Sequence, residues 1–309
     1  MQTNFLPRLK LYWSGRTALE RSVTWVLLSV LLFSMMGALA KLLGGHLDSF
    51  QVAFFRSLFG FIFILPVIFR AGLAGLAGLR TRRPMLHLWR GLVGGTAIMC
   101  SFYAIIHLPL ADATALSFTR ALFLVPLAAF FLNEQFDLRR TLTILAGLAG
   151  VVMMTAPEGA FNYAVLVALL SSALVAGVVI FVKRLSVEDT PATLIFYSSA
   201  IAAMMTAVPC IWVWVQPTMF EWLLLVAMAL LGVLAQNCFI RGYAAGEATV
   251  LAPLEYTRLL FAALAGYLIF GDVPGVWAMA GAALIIGASV AVARMQPKPV
   301  AMLPGPVTG

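Results

Sequence analysis

The sequence predicts an all-α integral membrane protein of ten transmembrane helices, arranged as two inverted five-helix repeats. Three observations carry that prediction. The 309-residue chain is 62% hydrophobic and 10% charged, with a mean hydropathy of +1.01. No water-soluble domain of this length buries so much apolar surface, so the bilayer is the solvent. The chain divides into ten apolar stretches. A short phrase containing an arginine, Thr119-Arg120-Ala121-Leu122-Phe123, then returns 138 residues later (258 − 120) as Thr257-Arg258-Leu259-Leu260-Phe261.

A spanning helix needs roughly 20 mostly apolar residues. The ten stretches lie near 23–43, 50–69, 87–106, 112–132, 140–156, 162–182, 192–214, 220–240, 247–270 and 275–293. None alternates apolar and polar residues at every second position, as barrel strands would. The first stretch lacks a small-residue cleavage site and follows a long basic leader, so it reads as a retained helix. Residues 1–22 form that leader. Arg8, Lys10 and Arg16 mix there with Leu9, Leu11, Tyr12 and Trp13, which suits either a helix on the membrane surface or a tail that orients the first span. The tail 295–309 holds four prolines and reads as disordered. Between leader and tail lie the two repeats, 23–156 and 162–294. Cys100, Cys210 and Cys238 fall inside spans without metal-ligand spacing and read as small core residues.

Alternating the ten spans sorts the loops into two sets. One set, with the leader and tail, carries sixteen lysines and arginines; the loops 44–49, 107–111, 157–161, 215–219 and 271–274 carry none. The positive-inside rule then places both termini in the cytoplasm, in a multi-pass protein of the cytoplasmic (inner) membrane. The net charge of +8 is therefore a topology signal facing anionic lipid, and nucleic acid is not an expected partner. The remaining basic residues, Lys41, Arg56, Arg120 and Arg258, lie within spans.

The repeated phrase occupies spans 4 and 9, so the unit is five helices. An odd number of crossings puts tandem copies in opposite orientations. At the same shift Glu134 meets Asp272. Ser29 and Lys41 match Ser171 and Lys183, Phe54-Phe55 matches Phe196-Tyr197, and Ala111-Asp112-Ala113-Thr114 resembles Gly246-Glu247-Ala248-Thr249. Inverted repeats are a construction of secondary transporters, whose site lies near the midplane between the repeats. The absence of a GxxxxGK[ST] phosphate loop argues against ATP-driven pumping by this chain.

These residues carry a resemblance. Phe54-Phe55-Arg56, the stretch from Ala113 through Leu132-Asn133-Glu134, and its counterpart from Ala248 through Phe270-Gly271-Asp272 resemble the drug/metabolite transporter superfamily. The chain looks like a ten-helix member of its EamA family, with repeats at about 22–155 and 163–294. Each repeat of that family ends in a helix rich in small residues followed by Leu-Gly-Glu; here the endings are Leu-Asn-Glu and Phe-Gly-Asp. The resemblance implies a secondary transporter moving a small polar metabolite by alternating access, with export favoured. Family members move amino acids, vitamins, nucleotide derivatives, metal-chelating metabolites or drugs. An uptake carrier for a riboflavin-like or S-adenosylmethionine-like metabolite is the alternative.

A charge in hydrocarbon costs about 2.5–3.5 kcal/mol on insertion scales. Arg120 and Arg258 carry that cost at matching places. Either they bind the carboxylate or phosphate of a substrate, which the planar guanidinium suits, or each is locked in a structural ion pair. Glu255 is the only acid deep inside a predicted span, three residues before Arg258 on the same helix face. It could bind a substrate amine, carry a proton, or be neutralised by Arg258. With a guanidinium nearby for a carboxylate, it would describe a zwitterion. Arg56 either guards the outer entrance or pairs with Asp48 or Asp112. Lys41 reads as snorkelling to the interface, and Glu134 and Asp272 as caps of the next helix. Further candidates for contact with substrate are Tyr103, Ser117, Gln236, Asn237, Tyr243 and Tyr256. Pro253, just before Glu255, would kink span 9 beside the charges. His46, His87 and His107 have no assigned role.

No metal site, catalytic residue or cofactor is expected. A membrane-embedded enzyme would need a nucleophile with its base, paired carboxylates or a metal constellation such as HExxH, and a cation channel is opposed by arginines at the midplane. The partners are a small-molecule substrate and the lipid bilayer, and the reading allows a homodimer.

Overall fold

A computed structural model describes residues 18–70, 79–132, 138–155, 162–185, 188–245 and 254–294. Residues 1–17 of the leader, the tail, the glycine-rich run 72–78, Glu134 and Pro253 lie outside the described residues, and residues 18–22 of the leader are the first turns of the first helix. The described residues are helical, without strands. In the first repeat the helices are α1 (Ala18–Leu43), α2 (Ser49–Arg70), α3 (Pro84–His107), α4 (Leu110–Ser117), α5 (Arg120–Leu132) and α6 (Leu138–Thr155). In the second they are α7 (Tyr163–Leu185), α8 (Pro191–Trp212), α9 (Met219–Ala245), α10 (Thr257–Ala265), a π-helical turn at Gly266–Phe270, and α11 (Val276–Arg294). Together they make ten crossings. Six of the helices, α1, α2, α3, α7, α8 and α9, are individually long and apolar enough to cross a membrane.

The packing repeats when the halves are exchanged. Helix α9 packs on α1, and its mate α3 packs on α7. Helix α2 meets α9, while α8 meets α3. Helix α10 lies on α1, while α4 and α5 lie on α7. Helices α2 with α8, α4 with α10, and α6 with α11 pair across the axis itself. This is the contact pattern of a pseudo-twofold axis, which two similar chains folded into one bundle generate.

The two predicted spans with the repeated phrase are not continuous helices. The fourth crossing breaks at Phe118–Thr119, between α4 and α5. The ninth breaks at Tyr256, between the helical residues Leu254–Glu255 and α10. The local cause is the same in both. Thr119 Oγ1 donates to the Leu116 carbonyl at 2.6 Å, and Thr257 Oγ1 donates to the Leu254 carbonyl at 2.6 Å. A hydroxyl bonded back into the preceding turn competes with the helical ladder and bends it. Each arginine thus stands at the restart of its helix.

Alternation of the crossings defines an upper end, with the turns at 44–48, 108–109, 213–218 and 271–275, and a lower end opposite. The main apolar core fills the upper half, where Leu43, Leu47, Val52, Phe55, Leu110 and Leu225 are buried. Phe55 anchors it against Trp222 and Trp214, with ring centroids at 4.9 and 5.7 Å. Polar contacts join the repeats here. Gln51 donates to the Val215 carbonyl at 2.6 Å and accepts from its N–H at 3.0 Å, and His46 meets Glu221 at 2.8 Å.

Lys41 does not snorkel. Its ammonium pairs with Asp272 at 2.5 Å and sits over the Phe270 ring at 4.7 Å. Asp272 therefore does not cap α11, which starts four residues later. Gly271 explains the placement. Its φ of +70° lets the π turn close, with Gly271 N–H on the Tyr267 carbonyl and Asp272 N–H on the Gly266 carbonyl. That turns the Asp272 carboxylate back toward α1.

The lower end is tied by different residues. Thr81 and His87 both contact the Asp189 carboxylate, at 3.0 and 2.9 Å, and Arg83 pairs with Glu188. His87 and Asp189 side chains are 1% and 5% exposed, so two of the three histidines without an assigned role, His46 and His87, each help join the halves.

Helices α6 and α11 pass so closely that a Cβ on Gly150 would lie 2.8 Å from the Gly281 carbonyl oxygen. Small residues permit such approach, and packing rather than hydrophobicity holds helices together in lipid. Gly150→Leu should therefore lower the melting temperature of the purified protein in detergent, by the equivalent of about 1–3 kcal/mol. Leu142→Val, on the exposed face of the same helix, should leave it unchanged.

Candidate functional site

The two helix breaks face each other. Phe118 and Tyr256, which correspond under the 138-residue shift, touch with ring centroids at 4.9 Å. The axis of the repeat passes beside this pair, so both arginines approach the same place from opposite helices. A guanidinium nitrogen of Arg120 donates to Glu255 Oε2 at 2.6 Å. Glu255 thus hydrogen-bonds an arginine of the other repeat, which its spacing along the chain does not reveal.

The symmetry explains why Arg258 is placed differently. Applying the shift to Glu255 gives position 117, which is a serine. Ser117 spends its proton on the Thr114 carbonyl at 2.6 Å. Arg258 therefore lacks the counterpart of the carboxylate that Arg120 has. Its guanidinium lies over the Phe33 ring at 5.5 Å, and its buried Nε has no hydrogen-bond partner among the described residues. One acid and two arginines leave this spot with a surplus positive charge when all three are ionised.

These groups line a cavity of about 350 Å³ that also takes in Ser29, Phe33, Ser117 and Gln236. That volume lies within the range of roughly 300–1,000 Å³ usual for small-molecule sites. A buried donor without an acceptor costs free energy, and an anion on Arg258 would recover it through a charge-assisted hydrogen bond. A carboxylate at Arg258 and an ammonium at Glu255 would both be satisfied.

A second cavity of about 280 Å³ shares Gln236 with the first and is lined by Arg56, Ser57, Arg90, Ser101 and Ser198. A small space of about 30 Å³ lies between them: Ser101 belongs to it and to the second cavity, Ser117 and Arg258 to it and to the first.

Arg120, Arg258, Glu255, Ser117 and Gln236 thus come together, with Tyr256 as part of the wall behind Phe118. Arg56 is elsewhere. Asp48 uses its carboxylate on the Phe50 N–H at 2.8 Å, and among the described residues Arg56 forms no ion pair with Asp48 or Asp112. It faces the second cavity instead. Tyr103 stacks on His107 at 4.0 Å, away from both cavities. Asn237 accepts from Arg241 Nε at 3.0 Å. One residue along α9 is a turn of about 100°, so Gln236 faces the cavities while its neighbour Asn237 does not. The side chain of Tyr243 lies outside the described residues. Arg90 and Phe33 are additions. Arg90 counts among the loop charges in the sequence reading, although its place inside the stretch 87–106 marks it as a membrane arginine.

The comparisons with known proteins agree with this architecture. The model of the EamA-like transporter family matches the chain twice, at residues 21–156 and 162–294. The chain is 32% identical to an S-adenosylmethionine uptake transporter of Rickettsia prowazekii over 91% of this chain and 93% of that protein. It is 33% identical to the pseudopaline exporter CntI of Pseudomonas aeruginosa, covering 89% and 97% of the two chains. A riboflavin transporter of Brucella anthropi is 28% identical over 80% and 89%. One crystal structure superposes with a TM-score of 0.60 at 23% identity, over 91% of this chain and all of that one, a likeness of fold. The chain belongs to the EamA-like transporter family and is a multi-pass membrane transporter of small metabolites, not an enzyme.

Proposed function

We propose that this protein carries an amino-acid-like zwitterion across the cytoplasmic membrane by alternating access. The observation that carries the reading is Arg258, a buried guanidinium with an unused donor, in the same cavity as the Glu255 carboxylate. Arg258 takes the substrate carboxylate. Glu255, held by Arg120, presents its remaining acceptor capacity to the substrate ammonium. The S-adenosylmethionine carried by the Rickettsia relative is a methionine derivative, which agrees with a site for an amino-acid head.

Alternating access is supported by the two sets of contacts between the repeats. Lys41–Asp272 and Gln51–Val215 join them at the upper end, and His87–Asp189 and Arg83–Glu188 at the lower end. The site lies between these sets, so releasing one while keeping the other would expose it to one side. The charge asymmetry of the loops supports placing the lower end, with both termini, in the cytoplasm. Export is the direction favoured by the family resemblance. The relatives include both an uptake transporter and an exporter, so the direction of net flux is read from measurement.

Reconstituted proteoliposomes and a panel of labelled L-amino acids with S-adenosylmethionine test the reading. At least one zwitterion should show saturable flux that unlabelled zwitterions compete and simple carboxylates do not. Arg258→Gln should weaken the apparent affinity about 10- to 100-fold, the worth of a charged hydrogen bond of about 1.5–3 kcal/mol. Glu255→Gln should reduce competition by primary amines while the protein still inserts. Wild-type flux in Arg258→Gln, or unsaturated ion conductance in the parent protein, would reject the proposal.

A further inference from the structure

We infer that the second cavity is an anion subsite, and that the preferred substrate carries a second negative group, carboxylate or phosphate, remote from its amino-acid head. This rests on the head-group reading above and extends it to the rest of the molecule.

The second cavity is built around two arginines that arrive from different helices. Arg56 stands seven residues into α2 from the upper end, and Arg90 six residues into α3 from the lower end. At 1.5 Å per residue each is roughly 10 Å inside the bundle. Neither guanidinium forms an ion pair among the described residues. Arg90 spends one nitrogen on the Leu194 carbonyl, and its buried Nε has no partner among the described residues. Arg56 lies in a cradle of glycines. A Cβ on Gly232 would be 2.6 Å from its Nε, and one on Gly60 would be 2.9 Å from a terminal nitrogen. Two charges held inside the bundle without acids, one of them seated against glycine backbone that leaves place for its guanidinium, are positioned for an anion that comes and goes.

The serines fit the same purpose in a secondary way. Ser57 and Ser198 donate to carbonyls of their own helices, at 2.9 and 3.1 Å, so their oxygens are left as acceptors. They can accept from the arginines and steady them without competing for an anion. The link to the first cavity is direct, because Gln236 lines both and the small space containing Ser101, Ser117 and Arg258 adjoins both. One molecule with its head at Arg258 and Glu255 can reach Arg56 through this connection.

The test uses the purified full-length protein in detergent and direct binding of known probes. These are L-glutamate, L-2-aminoadipate and L-2-aminopimelate, a series with an amino-acid head and a second carboxylate at increasing reach. L-Norleucine carries the head alone, and adipate carries two carboxylates without the ammonium. At least one member of the series should bind about tenfold tighter than L-norleucine, the gain of one charge-assisted contact. Arg56→Gln should bring that ratio to about one and leave L-norleucine binding unchanged, which also shows that the variant is folded. Gly232→Ala, which fills the cradle, should do the same. The O-phospho amino acids L-phosphoserine and L-phosphothreonine then separate phosphate from carboxylate as the preferred group. Equal binding of all probes by the parent protein, or a preference that survives Arg56→Gln, would overturn the subsite. If L-norleucine does not bind but adipate does, and Arg56→Gln abolishes adipate binding, the subsite stands and the zwitterion reading fails.

Discussion

A carboxylate and a guanidinium drawn partway into a membrane-spanning bundle hold their place as a pair, and here the half-buried pair is made across the two repeats. Arg120 of the first repeat and Glu255 of the second meet where both helices break. Removing one member of such a pair leaves the other uncompensated, which makes the contact between the halves specific rather than merely cohesive. Apolar packing in lipid lacks that specificity, because the tails are as apolar as the side chains. The rest of the site follows from this pair. It fixes the faces that α5 and α10 turn toward each other, and it engages Glu255, so that Arg258 lines the cavity without an ion-pair partner among the described residues.

The fold supplies symmetry and the sequence breaks it at single positions. The two helix breaks, the two threonine back-bonds and the Phe118–Tyr256 contact are all pairs under one shift. At position 117 against 255 the pair is serine and glutamate, so Arg120 has an ion-pair partner and Arg258 has none among the described residues. Away from the axis a second asymmetry operates. The π turn with Gly271 aims Asp272 at Lys41 at the upper end. The lower end is joined by another chemistry, His87 with Asp189. Ends held by unlike contacts can be released under unlike conditions, which a carrier requires and a static scaffold does not.

Much of this was legible in the sequence because it depends on composition and period. The helical class, the repeat and the pairing of the two arginine phrases follow from apolar length and from one shift. The partner of Glu255 was not legible. Spacing along a helix favours Arg258, whereas Arg120 reaches it only because two broken helices converge in space. Lys41 and Asp272 are 231 residues apart, and nothing local marks them as partners. Arg90 was obscured by its closeness to loop arginines of the same sign. Asn237 and Gln236 are equally polar, and only the helical phase at α9 separates them. Contacts between repeats are set by the axis, and the axis appears only when both halves are folded.

In the proposed carrier, Arg258 is open to the substrate carboxylate because position 117 does not carry an acid. The most direct measurement is the apparent affinity of Ser117→Glu in proteoliposomes, beside Ser117→Gln, which has the same size without the charge. Ser117→Glu should give Arg258 a resident carboxylate and weaken zwitterion binding at least about tenfold, while Ser117→Gln should stay near the parent protein. Equal affinity in the two variants would contradict it, since the charge at position 117 would then have no bearing on the site.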